Sequence, residues 1–222
     1  MAQTEQKNQN VKKQFEELQS LLERAMALQT SMVLFEWDDE TLAPKGAAEH
    51  TARVIGSLSE QYQEILASMR FKELLDVCQK AEKENAGVFD EVQSAILREA
   101  AEEQERLSCI PPEEYRAYAE LTARATGIWT RAREKNDFAS FAPVLKEIIS
   151  YQKKFAAYRA KPGQKLYDVM LDTYEKGFNM EMLDPFFELM KGKIVPLLKE
   201  SAERSKMVPD AFLSADYPEA AQ

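Results

Sequence analysis

The chain has 222 residues, 45% hydrophobic and 30% charged, a balance that suits one large or two small globular domains and excludes wholesale disorder. Its 38 acidic and 29 basic residues leave a formal net charge of -9, which opposes binding to nucleic-acid backbones and to anionic lipid. Two cysteines, Cys78 and Cys109, do not make a disulfide framework and read as reduced, mostly buried thiols.

Only 7 glycines occur, and Ala, Glu, Lys, Leu, Gln and Arg dominate. These residues lose little rotamer freedom in a helix, and strand-forming runs of Val, Ile and Thr are missing, so an all-α fold is expected. A first helix is expected from about Thr4 to Phe35, with Val11, Phe15, Leu18, Leu22, Ala25 and Met26 on one face. At 1.5 Å per residue it would span over ~40 Å and needs a partner along its length. Trp37-Asp38-Asp39-Glu40-Thr41 leads into Pro44 and Gly46, which turn the chain. A second helix follows from about Ala47 to Met69, with Thr51, Ile55, Leu58, Tyr62 and Ile65 as its stripe. Ser68 can cap a short third helix carrying Phe71, Leu74, Leu75 and Cys78.

Asn85-Ala86-Gly87 marks a break, and Val88, Val92, Ala95 and Ile96 define a fourth helix ending near Leu107. Pro111 and Pro112, followed by Glu113 and Glu114, open the fifth, because proline fits the first turn and acids suit the positive end of the dipole. Tyr115, Tyr118, Leu121, Ala125, Ile128 and Trp129 carry it forward. After Asn136-Asp137-Phe138 a sixth helix holds Phe141, Leu145, Ile148, Ile149, Gln152 and Phe155. Lys161-Pro162-Gly163 is a loop, and a short helix from Leu166 to Tyr174 ends at Gly177, a left-handed cap. Asn179 can cap the last long helix, with Leu183, Phe186, Phe187, Met190, Ile194 and Leu197 facing inward and a kink or early end at Pro196. The whole of residues 1–222 reads as a single helical region, with 207–222 a loop and the start of a further helix. Met1 to Asn10 is polar, and no stretch approaches the roughly 18 apolar residues of a membrane span, so a cytoplasmic protein is expected.

The chemistry-bearing residues are sparse. A zinc peptidase motif of the His-Glu-x-x-His type needs two histidines, and di-iron bundles need two Glu-x-x-His pairs. This chain has one histidine, His50, which reads as a surface residue near the start of the second helix. Histidine-based triads fail on the same count, and there is no Gly-rich phosphate loop. The runs Asp38-Asp39-Glu40 and Glu102, Glu103, Glu105 read as solvated faces. Tyr115, Tyr118 and Trp129 lack a basic groove beside them and read as core rather than as a stacking platform. No residue of the chain is assigned as catalytic, cofactor-binding or metal-binding.

Several segments nevertheless resemble the N-terminal part of the thermostable, Taq-type metallocarboxypeptidase family. Trp37-Asp38, then Glu40-Thr41, then Pro44, Gly46, Ala47, Arg53 and Leu58 form the first, with Ala43 where the family commonly has Met. Trp129, Asp137-Phe138, Phe141, Pro143 and Leu145 form the second. Tyr167-Asp168, Leu171-Asp172 and Tyr174-Glu175-Lys176-Gly177 form the third, continued by Phe187, Leu189 and Val195-Pro196-Leu197-Leu198.

The resemblance implies a fold of long antiparallel helices, a cytoplasmic and often dimeric enzyme, and stepwise removal of residues from a peptide's C-terminus. It also implies a zinc or cobalt ion held by the two histidines of His-Glu-x-x-His and a downstream glutamate, with the motif's own glutamate as general base. None of those residues occurs here, so the expectation is the helical lid and cleft wall of such an enzyme, without cofactor and inactive alone. Peptide substrate would be met only in a full-length context, and self-association or a homodimer is expected. The alternative is a stand-alone helical interaction module derived from that family.

Overall fold

The computed structural model describes residues 2–44, 46–85, 87–205 and 211–215. Among them are eight α-helices: α1 (Ala2–Thr41), α2 (Ala48–Leu66), α3 (Met69–Glu84), α4 (Glu91–Ser108), α5 (Pro112–Glu134), α6 (Phe138–Arg159), α7 (Leu166–Tyr174) and α8 (Met180–Ser205). A 3-10 turn spans Ala211–Ser214, and the described residues include no strand. The rest of the expected 207–222 tail lies outside the described residues. The chain divides into two compact units, Met1–Arg159 and Ala160–Gln222.

Helix ends follow local chemistry. Ser68 is extended, and its hydroxyl accepts the Phe71 N–H at 3.1 Å, satisfying one of the orphan donors of α3. Asp90 and Gln93 form a reciprocal capping box, each side chain accepting the other's backbone N–H. That box starts α4 at Glu91 rather than at Val88; Val88 and Phe89 lie in the preceding turn, where both are buried. Pro112 and the acids Glu113 and Glu114 open α5. α1 runs through Trp37 to Thr41, past the expected end at Phe35, because nothing before Pro44 breaks a helix. α8 likewise passes Pro196 and ends at Ser205.

In the first unit the helices pair antiparallel, as the contacts show. Glu60 and Gly56 of α2 meet Arg116 and Glu120 of α5, so positions descend on one helix as they rise on the other. Between α5 and α6, Glu114 meets Lys154 at 2.6 Å and Tyr158, while Tyr118 accepts a hydrogen bond from Gln152. Tyr118, Tyr151 and Phe155 pack there as an aromatic cluster with ring centroids 5.3–5.8 Å apart.

The core joins α1 (Phe15, Leu18), α2 (Tyr62, Leu66), α3 (Phe71, Leu74, Cys78) and α4 (Leu97, Leu107). Burying each such Leu or Phe contributes about 1.5–3 kcal/mol. The register differs from expectation at the edges. Met26 is 60% exposed and Val92 is 69% exposed, so neither belongs to the core. α2 buries Ala52, Ile55, Gly56, Ser59, Tyr62, Gln63 and Leu66, a stripe rotated from the expected one, with Gly56 against Glu120 of α5 and Ser59 donating to Met32 of α1. Gln63 is fully buried, and its amide donates to the Leu107 and Ile110 carbonyls at 3.1 and 2.6 Å, tying α2 to the end of α4.

In the second unit, Asp168 of α7 accepts the Met180 N–H at 2.9 Å, and Asn179 accepts the Met182 N–H at 3.0 Å, as expected of an N-cap. Gly177 has φ +82, a left-handed turn outside α7, and its N–H donates to Asp172. The expected inward face of α8 is open instead: the helix contains no buried residue.

Candidate functional site

The acidic run that follows α1's apolar part does not stand free in solvent as a whole. α1 carries Glu36, Asp39 and Glu40 at three- and four-residue steps, so they share one helix face. That face lines a cleft of about 250 Å³ closed by Ala48, Thr51, Ala52 and Ile55 of α2 and Thr122, Ala123 and Thr126 of α5. The cleft exists because α1 continues beyond Trp37 and overhangs the start of α2, which antiparallel pairing brings against the middle of α5.

Its electrostatics are one-sided. Glu36 stays exposed, but partial desolvation at the cleft, and then the neighbouring Glu40 carboxylate, raise its pKa above the ordinary glutamate value. Three threonines supply the remaining polarity, and two have committed their protons: Thr122 donates to the Tyr118 and Ala119 carbonyls at 3.1 and 3.0 Å, and Thr126 donates to Thr122 O at 3.5 Å. The lining therefore offers acceptors. It can hold a cationic or hydrogen-bond-donating group, but it contains no histidine, thiol or lysine to form a nucleophile–base pair. Among the described residues, no group of three or more His, Cys, Asp and Glu side chains is arranged to hold a metal ion.

The other candidates fall elsewhere. His50 is exposed on the first turn of α2, as its position led one to expect. Of the second acidic run, Glu103 turns inward, accepts the Tyr62 hydroxyl at 3.0 Å and pairs with Arg106 at 2.5 Å. Burial first, then Glu103, push the Tyr62 phenol up, so it stays a neutral donor that links α2 to α4. Tyr118 packs in the α5–α6 aromatic cluster, whereas Trp129 is 44% exposed under the Arg133 guanidinium. Cys78 is buried and Cys109 half-buried, both free thiols. Sequence reasoning missed Glu36 and the threonines of the cleft; the three-four spacing of Glu36 to Asp39 and Glu40 was the available signal.

A second groove, of about 360 Å³, runs between α1 and α2, lined by Arg24, Leu28, Ser31, Gln61, Glu64 and Ile65. No helix among the described residues is long and apolar enough to cross a membrane.

Comparison with known proteins places these features in a family context. The family model described as carboxypeptidase Taq (M32) metallopeptidase matches residues 17–222. Carboxypeptidase 1 of Bacillus subtilis (strain 168) is 32% identical over 202 residues, which cover 91% of this chain and 39% of that protein. Thermostable carboxypeptidase 1 of Pyrococcus furiosus is 30% identical over 184 residues, covering 83% of this chain and 36% of that protein. The crystal structure of BsuCP superposes with a TM-score of 0.87 at 31% identity, over 94% of this chain and 41% of the other. The chain thus spans about two fifths of the length of the relatives it matches.

Proposed function

The chain belongs to the carboxypeptidase Taq (M32) metallopeptidase family, as its N-terminal portion, and we propose that it supplies the helical lid and wall of the cleft in a metal-dependent carboxypeptidase. One observation carries this reading: the chain matches 39% of the length of the B. subtilis carboxypeptidase while its own sequence holds one histidine. The reaction of the whole protein is removal of C-terminal residues from peptides in the cytoplasm, using water activated by zinc or cobalt.

Hydrolysis of that kind needs a metal with an open position and a general base beside it. The residues present do not fit such an ion. His50 stands alone and exposed, and the carboxylates of the α1 cleft have no imidazole among them. No step of the reaction is therefore assigned to a residue of this chain, and the chain alone is inactive in this reading.

The test is direct. The purified chain, loaded with zinc or with cobalt, is incubated with peptides, and C-terminal trimming is followed by mass spectrometry; no trimming above a metal-only blank is expected, and turnover at enzyme-like rates would overturn the assignment. A chimera in which this chain replaces the matched part of the B. subtilis carboxypeptidase should trim peptides in a metal-dependent way. A folded, metal-loaded chimera without activity would remove the case for a cleft wall. A second reading, a helical interaction module, is favoured by the uncovered face of α8.

A further inference from the structure

The charges of this chain are unevenly spread. Between Arg124 and Arg159 stand eight basic side chains and three acidic ones, Glu134, Asp137 and Glu147. That stretch carries a net +5 in a chain of 29 basic and 38 acidic residues, so the rest of the molecule stands at -14. It is the α5–α6 hairpin from the middle of α5 onward. The carboxylates that meet the hairpin are taken up at its other end: Glu60 and Glu120 hold Arg116 at 2.9 and 3.0 Å, and Glu114 holds Lys154 at 2.6 Å. Arg131, Arg133, Lys135, Lys146 and Lys153 are exposed, and among the described residues none of them pairs with a carboxylate.

Two ordinary causes do not account for this excess. Cations in the last turn of α5 complement its dipole, but the dipole gives no reason for Arg124, nor for Lys146 and Lys153 inside α6. An absent neighbour bares apolar surface; solvated lysines and arginines need no cover, so a local excess of one sign is not its mark. The cations of α5 are also ordered. Arg124, Arg131 and Lys135 follow at steps of seven and four, which puts them in one row along the helix, and Lys135, the C-cap, keeps a helical backbone. Arg124 is held loosely, 3.9 Å from a Glu120 that already takes Arg116. Arg133 lies off the row, over the Trp129 ring at 5.3 Å from its centroid.

We propose that this row on α5 docks an acidic protein segment: a short, extended stretch bearing several Asp or Glu carboxylates. The spacing suits it. Alternate side chains of an extended chain recur at about 6.6 Å, and Arg131 and Lys135 are about 6 Å apart along the axis. The row from Arg124 to Lys135 is about 16 Å long, the reach of about five extended residues. Arginine is weakly hydrated and binds a carboxylate through two parallel N–H donors, so it gives up little to bind. A nucleic-acid strand suits the row less. Charges beyond about 8 Å are screened at physiological ionic strength, so a short segment feels the row alone, whereas a polyanion running past it meets the acidic remainder. Docking here needs neither a metal nor a cleft, and so stands or falls apart from the carboxypeptidase reading.

The test uses the full 222-residue chain and a fluorescein-labelled ten-residue oligoglutamate, followed by anisotropy. Saturable binding is expected at 50 mM salt, weakened several-fold at 200 mM; no saturation at 50 mM overturns the proposal. Arg131→Glu with Lys135→Glu should weaken binding at least tenfold. Lys12→Glu with Lys72→Glu changes the net charge equally at exposed positions of α1 and α3 and should leave it within about twofold. Equal losses in the two pairs would mean a general field without a site, and overturn it. Far-UV circular dichroism checks that each variant keeps its helices, and Arg131→Gln with Lys135→Gln replaces the first pair if it does not.

The face is tested by single changes. Arg131→Glu should cost several times more affinity than Arg133→Glu, two residues on and off the row; equal costs refute the row. A ten-nucleotide oligothymidylate should bind at least tenfold more weakly than oligoglutamate, and equal or tighter binding would make this a nucleic-acid surface instead. The chimera with the B. subtilis carboxypeptidase should bind oligoglutamate with the same sensitivity to Arg131→Glu, whether or not it trims peptides. A folded chimera that no longer binds would show the row covered in the whole protein, and overturn the proposal.

Discussion

Replacing Gly56 by alanine tests the close approach of α2 to Glu120 of α5. A Cβ built on Gly56 would lie 2.3 Å from Glu120 Cγ, 2.7 Å from its Oε1 and 2.9 Å from its Cδ. Alanine is otherwise the better helix former by about 1 kcal/mol, so the sign of the effect depends on whether Glu120 can give way. If only the carboxylate tip were in the way, it could swing aside, giving up parts of its pairs to Arg116 at 3.0 Å and Arg124 at 3.9 Å. Such partly exposed pairs are each worth only a few tenths of a kcal/mol by the usual ~0.2–1 range, and the change would come out neutral or stabilising. The shortest contact is to Cγ, one bond from the α5 backbone's own Cβ, and no swing of the tip relieves it. Glu120 must change its χ1 rotamer, giving up both arginine pairs, or α2 and α5 must part, at an overpacking cost of about 1–3 kcal/mol.

The net expectation for Gly56→Ala, overpacking less the gain in helix propensity, is a loss of up to about 2 kcal/mol, read from urea unfolding followed by tryptophan fluorescence and circular dichroism. Glu120→Ala removes the offending Cγ, so in that background Gly56→Ala should stabilise by up to about 1 kcal/mol, a coupling near 2 kcal/mol in the double-mutant cycle. Equal effects in the two backgrounds, or a Gly56→Ala variant clearly more stable than the parent, would refute the reasoning. Gly192 of α8 is the control: no atom lies within 4 Å of its Cβ, so alanine there should slow amide exchange within α8.

Three further outcomes are expected. Leu97→Ala empties a fully buried site in the α1–α4 core and should cost about 2–5 kcal/mol in urea unfolding, where a cost under about 1 kcal/mol would mean the site is not packed as described. Burial pushes the Cys78 thiol up to about 11, so in native protein at pH 8 iodoacetamide should modify Cys109 first and reach Cys78 only through unfolding; equal rates would contradict this. Glu36 has its folded pKa raised, chiefly by partial desolvation and then by Glu40, so the folded state holds its proton more tightly than the unfolded chain. Its contribution to stability is therefore present below the unfolded value and lost as pH rises through the folded value. Glu36→Gln should remove that loss, standing slightly above the parent at pH 7 and level with it below about pH 4; a constant offset at all pH would argue against the partial desolvation.

Much of the fold was legible in the chain because it rests on short-range rules. Ser68, Asn179 and the Pro112-Glu113-Glu114 start are read from two or three residues each, and all act as read. Phe15, Leu18, Phe71, Leu74 and Cys78 form core as their spacing implied. The candidate cleft was only half legible. Asp39 and Glu40 were visible as an acidic run, but Glu36 and the threonines gain meaning only from α5, 80 or more residues away in sequence.

By itself, then, the sequence determined an all-helical chain, where most of its helices begin, and, through a single histidine, that no two-histidine metal motif lies within these residues. Only tertiary structure decided how much of each apolar stripe is covered. Met26, Val92 and Trp129 fit their helical stripes and are still exposed, because periodicity fixes a face without fixing the neighbour that covers it. α2 set Gly56 against Glu120 of α5, and α8 kept an apolar face with no buried residue, for the same physical reason: burial belongs to a pair of surfaces, and a one-dimensional pattern describes one surface at a time.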